Sequence, residues 1–168
     1  MIDMSKTCTK CGIEKPFSEF YQNNPTKKDG YNSWCKACSY SSVKTWGKTA
    51  SGIYSRIKAR VGYYHNKPLK ITRKEFIKWH NVEPKFCAYC GIPEDKLELL
   101  GSYYQDKSER LCIDCKDNEL GYVLGNLTLA CFRCNALKAD IFSYDEMMEI
   151  GNKYLRPKMD VTLREEQS

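Results

Sequence analysis

The sequence predicts a small α+β fold stabilised by bound metal. It has an N-terminal four-cysteine unit, a basic helical middle, and a C-terminal core of a β-hairpin followed by a helix. Three observations predict it. The ten cysteines of this 168-residue chain fall into five Cys-x-x-Cys pairs, Cys8/Cys11, Cys35/Cys38, Cys87/Cys90, Cys112/Cys115 and Cys131/Cys134. Apolar residues recur at helical steps, and two helix starts carry capping signatures. Short strand-like runs bracket a turn near residues 116–121.

Composition narrows the class. With 42% hydrophobic and 29% charged residues the chain has a globular balance. No apolar run approaches the ~20 residues of a membrane helix. Met1 to Lys6 carry no apolar stretch of the kind that directs export. A cytoplasmic setting is therefore expected. Reducing conditions disfavour a disulfide framework. Two thiolates three positions apart grip one tetrahedral ion, so paired Cys-x-x-Cys motifs read as structural zinc. The formal charge of +6 falls to +2 if two such four-thiolate sites each hold a divalent ion. Its placement matters more. Ser41 to Lys78 holds ten Lys or Arg against the single acid Glu75, whereas Asp140 to Ser168 holds seven acids and four bases. That asymmetry is expected when one face meets a polyanion.

In chain order, residues 5–40 form the first zinc unit. Cys8 and Cys11 are followed by Gly12, which permits a tight turn. Lys15 to Tyr21 is a short packing segment, Lys28 to Tyr31 a turn, and Cys35/Cys38 closes the site. So small a unit needs its ion to fold. Residues 41–84 are the basic helical segment. Val43, Trp46, Ala50, Ile53, Ile57 and Val61 recur as one apolar stripe, read as core, with Gly47 and Gly52 allowing a break into two helices. Thr72 to Glu75 is a capping box opening a helix that buries Phe76, Ile77 and Trp79 and ends at Pro84.

Residues 85–157 form the C-terminal unit. Cys87 and Cys90 make a second knuckle, and 93–108 reads as loop. Leu111 to Cys115 is a strand, Lys116 to Gly121 a turn, and Tyr122 to Leu129 the return; Cys131 to Lys138 starts a helix. Ser143 to Glu146 is a second capping box, and a frayed tail is expected over 158–168. In a strand, Cys112 and Asp114 share a face while Cys115 points away, which is poor geometry for a shared ion. Cys112 then reads as a small buried hydrophobe. A rival zinc set of Cys87, Cys90, Cys112 and Cys115 would orphan Cys131 and Cys134. The hairpin and the zinc-tied helix start bring Asp114 and Asn135 toward one hard cation, for which two protein oxygens and a substrate phosphate suffice.

The run Cys87-x-x-Cys90, Ile113 to Asn118, Gly121 and Tyr122, Asn126 and Leu127, then Cys131-x-x-Cys134-Asn135-x-x-Lys138 resembles the HNH (ββα-metal) nucleases with a zinc-stapled core. In pattern it is similar to phage proteins of the recombination endonuclease VII group. Their N-terminal zinc units resemble Cys8, Cys11, Gly12, Lys15, Pro16, Phe20, Tyr21, Asp29, Gly30 and Trp34 to Cys38. The resemblance spans residues 7–150. It implies that Asp114 and Asn135 bind a catalytic Mg²⁺ or Mn²⁺, that Asn126 braces the hairpin loop, and that Cys8, Cys11, Cys35 and Cys38, with Cys87, Cys90, Cys131 and Cys134, hold two structural Zn²⁺ ions. The family's general-base histidine has its counterpart in Cys115, a departure. A thiol serves as base only if its pKa is lowered. Tyr122 and a water on the cation are other candidates. His65 and His80, the chain's two histidines, read as surface or core residues.

The expected function is metal-dependent hydrolysis of phosphodiester bonds in double-stranded or branched DNA. Lys44, Lys48, Arg56, Lys58, Arg60, Arg73, Lys74 and Lys138 would contact DNA, and a homodimer would cut both strands. A zinc-dependent DNA-binding protein with weak or no catalysis is the alternative, and a zinc-ribbon adaptor for another protein is a third.

Overall fold

Two cysteine pairs, Cys8/Cys11 and Cys87/Cys90, sit in tight turns between antiparallel pairings, and two others, Cys35/Cys38 and Cys131/Cys134, start helices. In a computed structural model, which describes residues 4–22, 25–26, 28–64, 67–101 and 110–166, the chain is the expected α+β protein with small two-stranded sheets. It divides into residues 1–53 and residues 54–168. The divide falls inside the basic segment expected over 41–84.

In the first unit, β1 (Ser5–Thr7) pairs with β2 (Glu14–Pro16), with Lys6 opposite Lys15. The Cys8 N–H donates to the Ile13 carbonyl and the Gly12 N–H to the Cys8 carbonyl, closing the knuckle around Gly12 at φ +71°. A single 3-10 turn (Phe17–Glu19) leads to β3 (Phe20–Gln22), which pairs with β4 (Tyr31–Cys35) so that Phe20 faces Cys35. Asp29 accepts from the Tyr31 N–H at 3.1 Å, making the turn expected there. The core is Cys8, Phe20 and Cys35, with Tyr31 and Cys38 against it.

Two helices replace the single apolar stripe. α1 (Lys36–Lys48) ends at Thr49, whose hydroxyl donates to the Trp46 carbonyl at 2.7 Å. α2 (Ala50–Tyr64) begins at once, and the Gly52 N–H donates to the same hydroxyl at 3.1 Å. A Cβ at Gly52 would stand 2.1 Å from the Trp46 carbonyl oxygen, so the tight bend requires glycine there. The bend rotates the stripe out of register. Ile53 and Ile57 are buried, but Val43 is 68% and Trp46 47% exposed, against the expectation that all were core.

In the second unit, α3 (Arg73–Val82) opens with the complete Thr72/Glu75 capping box. Phe76 is fully buried, with its ring 5.6 Å from Tyr54 and 5.5 Å from Trp79. The second knuckle repeats the first: the Cys87 N–H donates to the Ile92 carbonyl and the Gly91 N–H to the Cys87 carbonyl. Part of the expected loop is a 3-10 helix (Glu94–Leu100); residues 102–108 of it, like His65, lie outside the described residues.

β5 (Cys112–Cys115) pairs with β6 (Leu127–Ala130), with Asp114 opposite Thr128, and α4 (Phe132–Lys138) follows. The Ala88 N–H donates to the Leu129 carbonyl, joining the knuckle to β6. α5 (Tyr144–Ile150) starts at the Ser143/Glu146 capping box. It runs through a wide π turn (Gly151–Leu155) into α6 (Arg156–Glu166). The expected frayed tail is thus helical over residues 158–166. Arg156 donates to the Tyr89 carbonyl at 3.1 Å, and Lys96 pairs with Glu166 at 2.9 Å. Among the described residues no helix is long and apolar enough to cross a membrane.

Candidate functional site

The eight expected zinc ligands form two clusters. The ligand atoms of Cys8, Cys11, Cys35 and Cys38 lie within 4.8 Å of one another, and so do those of Cys87, Cys90, Cys131 and Cys134. Four sulfurs at that spacing could bind zinc. None of the ten cysteines forms a disulfide. The rival set containing Cys112 and Cys115 is excluded, because Cys131 and Cys134 complete the site. Each cluster starts a helix: Cys35 is the N-cap of α1 and Cys131 the N-cap of α4. The Cys35 N–H donates to the Cys8 sulfur at 3.2 Å and the Cys134 N–H to the Cys131 sulfur at 3.5 Å.

The second cluster anchors the hairpin and α4 to each other. Asn126, buried at the start of β6, accepts from the Asp117 N–H at 2.9 Å and donates to the Asp117 and Gly121 carbonyls at 2.8 and 2.7 Å. These bonds hold the loop that leaves β5. Asp114 lies at the end of β5 and is only 5% exposed. The Tyr89 hydroxyl donates to its Oδ2 at 2.5 Å, and the Lys138 ammonium stands 3.4 Å from its Oδ1. Lys138 also donates to the Cys115 carbonyl at 2.8 Å. Burial and this acidic neighbour push the Tyr89 phenol far above its ordinary range, so it stays a proton donor.

Lys138 is therefore not a surface cation. At 1% exposure it lies in the interior, against the expectation that it contacts DNA. The reason is helical spacing: Lys138 follows Cys134 by four residues, on the face of α4 turned to β5. Asn135 lies one turn before Lys138 and is half-buried; among the described residues its side chain makes no hydrogen bond.

Cys115 and Cys112 reverse the expected burial, with Cys115 buried and Cys112 half-buried. Burial pushes the Cys115 thiol up to about 11, outweighing Lys67 and Lys138, which is the opposite of the lowering a thiol base needs. Burial raises the Tyr122 phenol as well. His80 belongs to α3, its ring stacked 5.9 Å from Phe76 and its pKa lowered by burial.

The other expected DNA contacts are exposed: Lys44 and Lys48 on α1, Arg56, Lys58 and Arg60 on α2, and Arg73 and Lys74 in the first turn of α3. Sequence reasoning missed two residues. Arg110 is half-buried and close enough to Arg56 and Arg60 to feel both charges, though burial is the larger cause of its lowered pKa. Its only signal was a lone Arg before a strand. Tyr89 carried a better one, an aromatic hydroxyl between two zinc-type cysteines.

No family model matches the chain, and no curated protein matches it. Among solved structures, the chain is similar in fold to the rare-cutting HNH restriction endonuclease PacI, whose structure was described for its mechanism of DNA perturbation. Identity is 24%, the TM-score is 0.55, and the likeness covers 90% of this chain and 94% of that one.

Proposed function

We propose that the protein is a DNA endonuclease of the ββα-metal type that hydrolyses phosphodiester bonds with the help of a divalent ion. One observation carries this reading. A carboxylate at the end of β5 and an amide on α4, one turn before Lys138, belong to the same unit as a four-cysteine cluster, in a fold similar to that of an HNH endonuclease. Asp114 and Asn135 would hold Mg²⁺ or Mn²⁺; both offer the oxygen donors a hard cation takes. Once bound, such an ion stabilises charge developing on phosphate oxygens.

The chain's own residues supply the frame. Zinc in both clusters would hold the helix starts, and Asn126 would keep the loop after β5 from moving. Lys44, Lys48, Arg56, Lys58, Arg60, Arg73 and Lys74 would bind backbone phosphates and give little sequence selectivity. Arg73 and Lys74 sit in the first turn of α3, where the helix dipole disfavours cations, so folding alone does not account for them. A duplex break requires two such sites, hence a homodimer, and branched DNA of the kind cut by the endonuclease VII group is within this reading.

The second reading, DNA binding without cleavage, is favoured by two observations. Cys115, its thiol pushed up by burial, has the place of the family's histidine, and the Lys138 ammonium is 3.4 Å from the proposed metal ligand Asp114. Incubating plasmid with the zinc-loaded protein and Mg²⁺ or Mn²⁺ separates the two. Nicking that falls on the order of a hundredfold or more in Asp114→Ala and in Asn135→Ala is expected. DNA retention without nicking, lost steeply with salt, would leave only the binding role.

A further inference from the structure

Among the described residues, Lys138 is the one buried cation, and the proposed chemistry does not use it. Its ammonium is 3.4 Å from one oxygen of Asp114, whose other oxygen is held by Tyr89. A divalent ion bound to Asp114 would share a buried, low-dielectric space with that ammonium, and two cations there repel strongly. Removing the ammonium with nothing in its place would leave a buried carboxylate unpaired, which is strongly destabilising. Each cation is thus needed only while the other is absent.

The fold also offers Lys138 another seat. A cavity of about 480 Å³ is lined by Lys138 together with Asp117, Asp140 and Asp145. Lys116 lines the same cavity, so three carboxylates there face two ammonium groups and would receive the one that swings away from Asp114. The backbone at Ala139 is pinned beside it: Ala139 has φ +41°, and the Asn118 amide donates to its carbonyl at 3.0 Å. The lysine stem therefore turns about a fixed base.

We propose that Lys138 is an internal counter-ion that holds Asp114 while no divalent ion is bound and yields to one by swinging toward Asp117, Asp140 and Asp145. This rests on the reading of Asp114 as a cation ligand and makes Lys138 a positioning residue that sets how tightly the ion binds. It also converts Lys138 from a DNA contact, as the sequence suggests, into a residue that never touches DNA.

The test uses the full zinc-loaded chain and Mn²⁺, with affinity read from the electron spin resonance of the free ion and stability from thermal melting. Lys138→Met is expected to bind Mn²⁺ at least tenfold more tightly than the unaltered chain. Without Mn²⁺ it should melt several degrees lower, and with Mn²⁺ it should recover that loss. The gain in affinity should vanish in the double variant Asp114→Asn, Lys138→Met. If the Met variant fails to fold, Lys138→Gln, which keeps a hydrogen-bond donor but no charge, carries the same comparison. Equal Mn²⁺ affinity with and without the lysine charge, or a gain that survives loss of Asp114, overturns the proposal. Tightened Mn²⁺ binding in a chain that nicks no DNA supports the counter-ion and sinks the nuclease reading instead. Nicking with unchanged affinity does the reverse.

Discussion

In the cluster of Cys8, Cys11, Cys35 and Cys38, one thiol is exposed and one half-buried; in the cluster of Cys87, Cys90, Cys131 and Cys134, all four are buried. The first has Phe20 as the one buried residue in its core besides cysteines. The second belongs to a core of eleven buried residues that includes Tyr89, Ile92, Leu97, Leu111, Leu129 and Met147. The thiols respond accordingly. In the first cluster Cys8 falls to about 6, because N–H donors led by that of Cys35 outweigh its burial, while Cys38 is pushed up to about 12 by its hydrogen bond with Cys35 and by burial. In the second cluster the same two directions recur. Hydrogen bonding from Cys131 holds Cys87 well below the ordinary thiol range, and the same neighbour pushes Cys134 well above it. Either site welcomes a first thiolate and resists the last until a cation balances the charge. What differs is what remains when the cation leaves.

Removing the metal should therefore have the largest effect, and an unequal one. Structural zinc contributes about 10–16 kcal/mol in units of this size, while the apolar burial around Phe20 alone offers a few kcal/mol. Chelation followed by hydrogen exchange is expected to abolish protection of β3 and β4 while Leu127–Ala130 keep part of theirs. Simultaneous loss in both sheets would show that the second core leans on its ion as fully as the first.

Side-chain truncation sharpens the same contrast at smaller scale. Phe20→Ala removes about 3–5 kcal/mol of packing, and Met147→Ala about 2–5 kcal/mol. The first should leave residues 1–53 unfolded at room temperature and release one zinc equivalent to a metal-sensing dye. The second should lower the melting point of residues 54–168 without metal release. Zinc loss from Met147→Ala would put the stability of the larger unit in its cysteines and not in its core.

The parts of this architecture that were legible in the sequence are those set by short spacing. Cys-x-x-Cys fixes two ligands to one turn whatever surrounds them, and Thr72/Glu75 and Ser143/Glu146 cap helices through bonds three residues long. The order of hairpin and helix over 112–138 follows from the same locality. What was not legible depends on partners distant in the chain. Lys138 reads as a surface cation because nothing local shows that Asp114, 24 residues earlier, will stand opposite it. Val43 and Trp46 read as core because the periodicity runs through Thr49, where the chain bends. Residues 158–166 read as tail because their helix is held by Lys96 and continues a helix already packed on the Tyr89 knuckle.

The smallest effect separates the two ways this protein starts a helix. α1 begins at a cluster cysteine, with no side-chain hydrogen bond capping it, whereas α3 and α5 begin at capping boxes independent of metal. Hydrogen bonds from the Thr72 hydroxyl and backbone hold the Glu75 carboxyl below its ordinary value of 4.5, and those from the Ser143 backbone and hydroxyl do the same for Glu146. A carboxyl depressed in the folded state stabilises fully above its unfolded pKa and loses that contribution as pH falls through the folded one. At neutral pH Thr72→Ala or Ser143→Ala should cost about 1 kcal/mol in urea unfolding. Below the lowered carboxyl values the cost should shrink toward that of the hydroxyl bond alone. Acid acts on α1 by another route, because protonating its thiolates releases the ion that holds its start. Residues 1–53 should therefore show a metal-concentration-dependent acid transition, while the cost of removing either cap in residues 54–168 follows pH alone. A cap cost that stays constant into acid would mean that the threonine and serine hydroxyls, and not the carboxylates, set those helix starts.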